Sequence, residues 1–135
     1  MMLEGVNWLT DSLGDYGYGR HLGVQFEDVT TDYVRVRLPF REEVSNTNFV
    51  HGGAIAGLLD VAATGAAWSA VADPAKARGT TIGFTINYLN GTHRKDLVAE
   101  ARVIRRGRSI VYIEVAINDG DQDVARGLVT YKLEA

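Results

Sequence analysis

The chain has 135 residues, of which 46% are hydrophobic and 23% charged, and its 14 Lys and Arg against 17 Asp and Glu give a net charge of −3. This length predicts one domain over residues 1–135 with a sizeable core, and the slight negative charge argues against nucleic acid as a partner. The absence of cysteine excludes disulfides, a cysteine nucleophile and thiolate metal sites.

In chain order, residues 1–11 include Glu4 and Asp11 and have no apolar run of signal-peptide length, which favours a cytoplasmic location without a membrane partner. Residues 33–38 alternate apolar and charged side chains, which predicts a strand with one wet face and a hairpin partner at 23–30. Residues 53–72 are small and apolar around nearly the whole helical circumference. They predict a helix buried on most sides, and Asp60 within it argues against a membrane span.

The second half of the chain predicts four strands, at 80–89, 97–106, 109–118 and 123–133, separated by glycine and asparagine turns. An antiparallel sheet must cover its apolar face, and one helix of suitable length is available to cover it. The sequence therefore predicts an α+β protein in which a curved antiparallel sheet wraps around one central long helix.

Asp60 is the only charged side chain between His51 and Asp73. An ionised carboxylate in apolar surroundings costs several kcal/mol unless it is paired, hydrated or shifted in pKa. This position therefore favours a chemical task for Asp60. The alternative is a structural Asp bonded to the backbone or to an arginine across a subunit interface.

Three features together resemble one known family. They are the run Asn-Phe-Val-His-Gly-Gly from Asn48 to Gly53, the acid nine residues after His51, and Ile-Asn-Tyr-Leu at 86–89. Over residues 20–133 the chain resembles the hotdog-fold acyl-CoA thioesterases of the phenylacetate-pathway type. The resemblance implies hydrolysis of acyl-CoA or aryl-CoA, with coenzyme A as part of the substrate and no other cofactor. It also implies a homodimer or homotetramer in which the helix start of one protomer faces the acid of another.

The resemblance assigns Asp60 as general base or nucleophile and the N–H of Gly52 as donor to the carbonyl oxygen. A helix start suits the second task because its first N–H groups are unpaired. Thr64, one turn beyond Asp60, either positions the attacking water or bonds back to a helix carbonyl. Thr81 matches a hydroxyl position near that water, or is an ordinary strand threonine. His51 is implied to shape the loop, since no nucleophile motif supports a triad.

Upstream of His51 the chain departs from the family pattern. Many relatives carry Asn or Gln at the position of Ser45 and Gly at that of Asn48, and Asn46 could substitute after a shift of the loop. Downstream, the family holds coenzyme A along a strand pair that here contains Arg105, Arg106, Arg108 and Ser109. The alternative for these residues is a solvated hairpin tip.

The predicted acyl pocket is lined by apolar side chains such as Phe49, Leu58, Trp68 and Phe84. The histidines are not spaced as metal ligands, so no metal site is predicted. Two alternative functions remain open: a hydratase or dehydratase on the same fold, and a non-catalytic acyl-CoA sensor. Asp60 favours the enzyme, because a binding pocket alone gains little from a desolvated carboxylate.

Overall fold

The computed structural model describes residues 4–135, and these form one long helix, two short helices and six long strands. In chain order the elements are α1 (Glu4–Leu13), α2 (Gly17–Leu22), β1 (Gln25–Thr30), β2 (Tyr33–Leu38), the two-residue strands β3 (Ser45–Asn46) and β4 (Phe49–Val50), α3 (Gly52–Trp68), β5 (Arg78–Tyr88), β6 (Leu97–Arg106), β7 (Ile110–Asn118) and β8 (Asp123–Glu134). Single 3-10 turns occur at Glu42–Val44 and Pro74–Lys76. None of the helices in the described range is long and apolar enough to cross a membrane.

The six long strands form one antiparallel sheet in the order β1-β2-β6-β7-β8-β5. The predicted alternation is confirmed in β2, where Val34, Val36 and Leu38 are buried while the intervening residues are partly exposed. At one edge of the sheet, β5 pairs with β8 alone, so its other side is open. All six predicted strands are present, with ends that differ from the predicted ones by no more than two residues.

Helix α3 packs across the apolar face of the sheet, as predicted. Its residues Leu58, Leu59 and Ala62 are fully buried, and burying each leucine contributes about 1.5–3 kcal/mol. Small residues bring the helix close to the strands: a Cβ on Gly65 would lie 2.9 Å from the ring of Phe26. This close packing fixes α3 on the sheet and so fixes the position of every side chain that the helix carries.

The helix ends at Trp68, four residues before the predicted end. The Ser69 hydroxyl donates to the Ala66 carbonyl at 2.6 Å and accepts the Asp32 N–H at 2.7 Å. Arg106 donates to the same Ala66 carbonyl at 3.3 Å. The last-turn carbonyl is therefore satisfied by side chains from outside the helix, and these contacts could not be read from local periodicity.

Two short helices precede the sheet, and the sequence analysis did not predict them. The rings of Trp8 in α1 and Trp68 in α3 lie 5.3 Å apart, and Leu9 is 1% exposed. Helix α2 has only six residues and ends at Gly23, whose φ of 92° is left-handed. The six residues of α2 carry little periodic signal, whereas α1 is amphipathic, with Leu9 and Leu13 on one helical face, and this pattern was missed.

Candidate active site

The start of α3 is capped by the side chain that precedes it. His51 has an extended backbone, and its Nδ1 accepts a hydrogen bond of 2.7 Å from the Gly53 N–H. The neutral ring therefore carries its proton on Nε2. The Gly52 N–H, by contrast, donates to no acceptor within residues 4–135. It lies at the positive end of the helix dipole, where it is available to a carbonyl oxygen of a bound molecule.

Tyr88, at the end of β5, holds the same turn of the helix. Its hydroxyl donates to the Gly52 carbonyl at 2.9 Å, and its ring lies 3.5 Å from where a Cβ on Gly52 would be. Tyr88 belongs to the motif at 86–89, and the sequence predicts no role for it. The structure gives it a contact with the residue that bears the free N–H.

Asp60 lies on α3 about two turns beyond Gly52 and is half-buried. The Thr81 hydroxyl donates to its Oδ1 at 2.8 Å, so the structure brings together two of the predicted site residues. Strand β5 bulges between Thr81 and Gly83, and such bulges often re-aim a side chain beside a functional site. In the part of the chain that the structure describes, Asp60 forms no ion pair.

The negative charge of Asp60 affects the pKa of the buried Tyr131 phenol. Burial raises the pKa of Tyr131, the hydrogen bond of 2.7 Å from the Trp68 indole N–H opposes this rise, and the negative charge of Asp60 adds to it. Tyr131 pairs with Thr81 across β8 and β5. Asp60, Thr81 and Tyr131 therefore form one cluster where the middle of α3 meets the edge of the sheet.

Asp60 and Thr64 line a cavity of about 280 Å³ between α3 and the connection from α1 to α2. Leu13, Tyr16 and Tyr18 form the opposite wall. No hydrogen bond joins Thr64 to Asp60 in the structure of residues 4–135. The Asp60 carboxylate therefore borders a cavity lined by apolar and aromatic side chains. This cavity was not predicted from the sequence, because α1 and α2, which contribute its wall, were not predicted.

Ser45 and His51 line a second cavity, also of about 280 Å³. The Ser45 hydroxyl donates to the Glu42 carbonyl at 2.6 Å, which is ordinary turn chemistry. Asn46 is exposed and pairs with Phe49 in the small β3–β4 ladder. Their predicted part in orienting the thioester stays a prediction.

The predicted coenzyme A residues lie at the turn between β6 and β7. Arg106 donates to Asp32 at 2.7 and 3.1 Å and to the Ala66 carbonyl, so it already has a structural task at the end of α3. Arg105 and Arg108 are exposed, and neither side chain has a partner among the described residues. The Ser109 carbonyl accepts the Leu133 N–H at 2.8 Å.

This turn lies at the same level of the sheet as Thr81. The register runs from Thr81 to Tyr131, then to Val111 and to Arg106. Three strand spacings separate Thr81 from Arg106, a distance of about 14 Å. A molecule that reaches Asp60 along this end of the sheet can therefore extend toward the arginines.

The four side chains predicted to line the acyl pocket lie elsewhere than around the Asp60 cavity. Leu58 is fully buried in the core, and Trp68 bonds to Tyr131. Phe49 and Phe84 are 49% and 40% exposed. Across the described range, no group of three His, Asp or Glu side chains is placed to hold a metal ion.

The free N–H of Gly52 and the carboxylate of Asp60 are separated along a single helix. At a rise of 1.5 Å per residue, eight residues separate the backbone positions of Gly52 and Asp60 by about 12 Å along the helix axis. A reacting carbonyl must lie about 3 Å from both its oxyanion donor and the attacking group. One α3 helix therefore cannot present both groups to the same carbonyl.

Comparison with known proteins gives a consistent result. Residues 47–126 match the model of the thioesterase superfamily. A protein of Halobacterium salinarum with a provisional esterase name is 36% identical over 107 residues, which are 76% of this chain and 70% of that protein.

Two solved structures share the fold. A thioesterase family protein from Silicibacter pomeroyi superposes with a TM-score of 0.85 at 21% identity, over 96% of this chain and 98% of that one. The zebrafish thioesterase superfamily member 2 superposes with a TM-score of 0.81 at 23% identity, over 100% and 99% of the two chains. The predicted hotdog fold is confirmed, whereas the phenylacetate-pathway subfamily stays a prediction.

Proposed function

The chain belongs to the thioesterase superfamily, and from that premise we propose that it hydrolyses acyl-CoA or aryl-CoA thioesters to a free acid and coenzyme A. The observation that carries the proposal is the Asp60 carboxylate, which the Thr81 hydroxyl holds at 2.8 Å beside a cavity. Coenzyme A arrives as part of the substrate, so the reaction needs water and no further cofactor.

In this reaction Asp60 acts as general base or as nucleophile. As a base it takes a proton from water, and the water oxygen adds to the thioester carbonyl carbon. The C–S bond then breaks, and the departing thiolate takes up a proton. As a nucleophile the carboxylate itself adds to that carbon, the C–S bond breaks to release the thiolate, and water then cleaves the resulting anhydride. The hydrogen bond from Thr81 orients the carboxylate in both cases, and Thr64 lies one turn away on the same wall of the cavity.

The Gly52 N–H serves as the oxyanion donor in the proposed site. Because about 12 Å of helix separates it from Asp60 of the same chain, each site uses Gly52 from one protomer and Asp60 from a second. The open side of β5, with Ile82, Phe84 and Tyr88 exposed, offers an edge at which two copies can meet. A homodimer, or a tetramer of such dimers, is the working unit that we propose.

Arg105 and Arg108 are proposed to bind the coenzyme A phosphates, because guanidinium groups pair well with phosphate oxygens and these two have no other described partner. Arg106 is a weaker candidate for binding the phosphates, because its guanidinium group already donates to the Asp32 carboxylate. Ser109 lies in the same turn and could add a hydroxyl contact.

The test is a panel of acyl-CoA substrates with short, long and aromatic acyl groups, with free thiol detected as it is released. We expect turnover of at least one thioester. If acyl-CoA binds in calorimetry but none is hydrolysed, the non-catalytic sensor replaces the enzyme. Conversion of an enoyl-CoA to a hydroxyacyl-CoA without thiol release would support the hydratase instead.

A further inference from the structure

Tyr18 separates two cavities, and each cavity is lined by residues of the proposed site. The cavity with Asp60 and Thr64 lies on one side of it, and the cavity with Ser45 and His51 lies on the other. Each has a volume of about 280 Å³. Among the described residues, Tyr18 is the one that lines both cavities. Its side chain therefore acts as a wall between them.

The fold brings this ring directly against α3. A Cβ on Gly57 would overlap the Tyr18 hydroxyl and would lie 3.2 Å from its ring carbons. Glycine inside a helix costs about 0.5–1 kcal/mol relative to alanine, and here its lack of a side chain is what admits the ring. Gly57 lies three residues before Asp60, so the wall stands one helical turn from the carboxylate.

Core packing does not account for Tyr18. Its side chain is 56% exposed, and its hydroxyl has no hydrogen-bond partner in the described chain. Tyr16, which precedes it, is 75% exposed and lines the Asp60 cavity alone. An exposed ring that divides a groove is better placed to contact a bound molecule than to stabilise the fold.

We propose that Tyr18 is a specificity-determining residue that closes the acyl pocket. This inference rests on the proposed function: the acyl group occupies the Asp60 cavity and ends against the Tyr18 ring. A space of about 280 Å³ falls just below the range of about 300–1,000 Å³ for pockets that hold drug-sized ligands. The protein therefore favours short or single-ring acyl groups, and truncation of Tyr18 joins the two cavities and admits longer chains.

The test compares kcat/KM across straight-chain acyl-CoA substrates of increasing length for the wild type and three variants. In Tyr18→Ala the ratio of kcat/KM for long over short chains should rise about tenfold or more, as expected when a pocket gains room for added methylenes. Tyr18→Phe keeps the ring and should keep the ratio of the wild type. Gly57→Ala displaces the ring and should shift the ratio in the same direction as Tyr18→Ala.

Tyr112→Ala is the matched control, since Tyr112 is 41% exposed on a central strand and lines neither cavity. It should leave both the rates and the ratio unchanged. If the wild type is active and folded Tyr18→Ala has an unchanged ratio of kcat/KM for long over short chains, Tyr18 does not set the acyl length. The proposed function is not affected by that result. If the wild type hydrolyses no thioester, the proposed function fails. The ratio of binding affinities for long and short acyl-CoA, measured by calorimetry in the wild type and Tyr18→Ala, then tests whether Tyr18 limits the length of the acyl group.

Discussion

At the scale of single residues, the proposed chemistry depends on two groups that differ in kind. Asp60 contributes a charge that the Thr81 hydroxyl orients at 2.8 Å. Gly52 contributes a backbone N–H that is free because His51 caps its neighbour Gly53 instead. A side-chain substitution can remove the first group, whereas only a change at the backbone can remove the second.

Asp60→Asn should lower kcat by about two to four decades, the range expected when a positioned general base is lost. Asparagine keeps the size of the side chain and an oxygen that can accept from Thr81, so KM should change far less. Steady-state hydrolysis of the best panel substrate measures both constants, and thermal unfolding checks the fold. Hydrolysis near the wild-type rate would remove Asp60 from the mechanism.

Gly52→Pro should lower kcat by about 10²–10³-fold, because proline deletes the one N–H assigned to the oxyanion. The substitution suits the backbone: proline is favoured at the first helical position, and His51 has φ −66° and ψ 137°, which a residue before proline adopts readily. Gly52→Ala is the matched control, because it keeps the N–H and its Cβ would make ordinary contact with Tyr88 at 3.5 Å. Equal rates in the two variants would contradict the oxyanion role.

At the scale of secondary-structure elements, the end of α3 is held by contacts from the β1–β2 turn and from the end of β6. Asp32 lies in the β1–β2 turn with a left-handed φ of 66°, and it accepts both donors of Arg106. The Arg106 and Asp32 side chains are 26% and 43% exposed, so solvent weakens this ion pair. We assign it a stabilising rather than a catalytic effect.

Asp32→Asn should therefore lower the free energy of unfolding by about 1 kcal/mol, since asparagine tolerates the left-handed backbone but lacks the charge. Thermal or urea unfolding measures the change. Arg108→Gln is the control at an arginine without a described ion pair, and it should leave the stability as it was. A stability loss of the same size in both variants would contradict a specific stabilising effect of the ion pair between Asp32 and Arg106.

The open edge of β5 has its own prediction. Ile82 is 58% exposed at the β5 bulge, and Ile82→Lys should weaken the proposed dimer and reduce activity in parallel. Sedimentation velocity at several concentrations measures the association. Leu128→Lys, at a residue 53% exposed on β8, which is paired on both sides, should leave the dimer intact. A fully active Ile82→Lys monomer would contradict the shared site.

The sequence predicted those elements that have strong periodicity. The alternation in β2 and the continuous apolar face of Val111, Ile113, Val115 and Ile117 identified strands, and the apolar circumference of α3 identified the helix. The helix end at Trp68 was missed because Ser69 and Ala66 bond there to Asp32 and Arg106, which are distant in sequence. Helix α2 was missed because it has only six residues, and α1 was missed although its apolar residues recur at helical spacing.

For the candidate site too, some residues were predicted from the sequence and others became apparent only in the structure. Asp60 stood out as a lone charge, and the motif around His51 located the helix start. Thr81 was predicted near the site, but its direct bond to Asp60 depends on the β5 bulge, which no local pattern reveals. Tyr18 and Tyr88 were not predicted because their contacts with Gly57 and Gly52 are tertiary.

At the scale of the whole molecule, the central claim is that one active site combines residues from two chains. It follows from helix geometry, because the backbone positions of Gly52 and Asp60 in one α3 helix lie about 12 Å apart along the helix axis. An isologous dimer then contains two identical sites, and each site takes Gly52 from one protomer and Asp60 from the other. A dimer of two different variants can therefore contain one site with both groups intact.

Subunit complementation distinguishes a site shared between two chains from a site within one chain. Asp60→Asn and Gly52→Pro are purified separately, where each should be nearly inactive, and then as mixed dimers isolated from co-expressed, differently tagged chains. In the isolated mixed dimers thiol release should be restored to about half of the wild-type rate per chain, because each dimer then holds one intact site of two. Activity in the mixture no higher than in the separate variants would contradict a site shared between two chains.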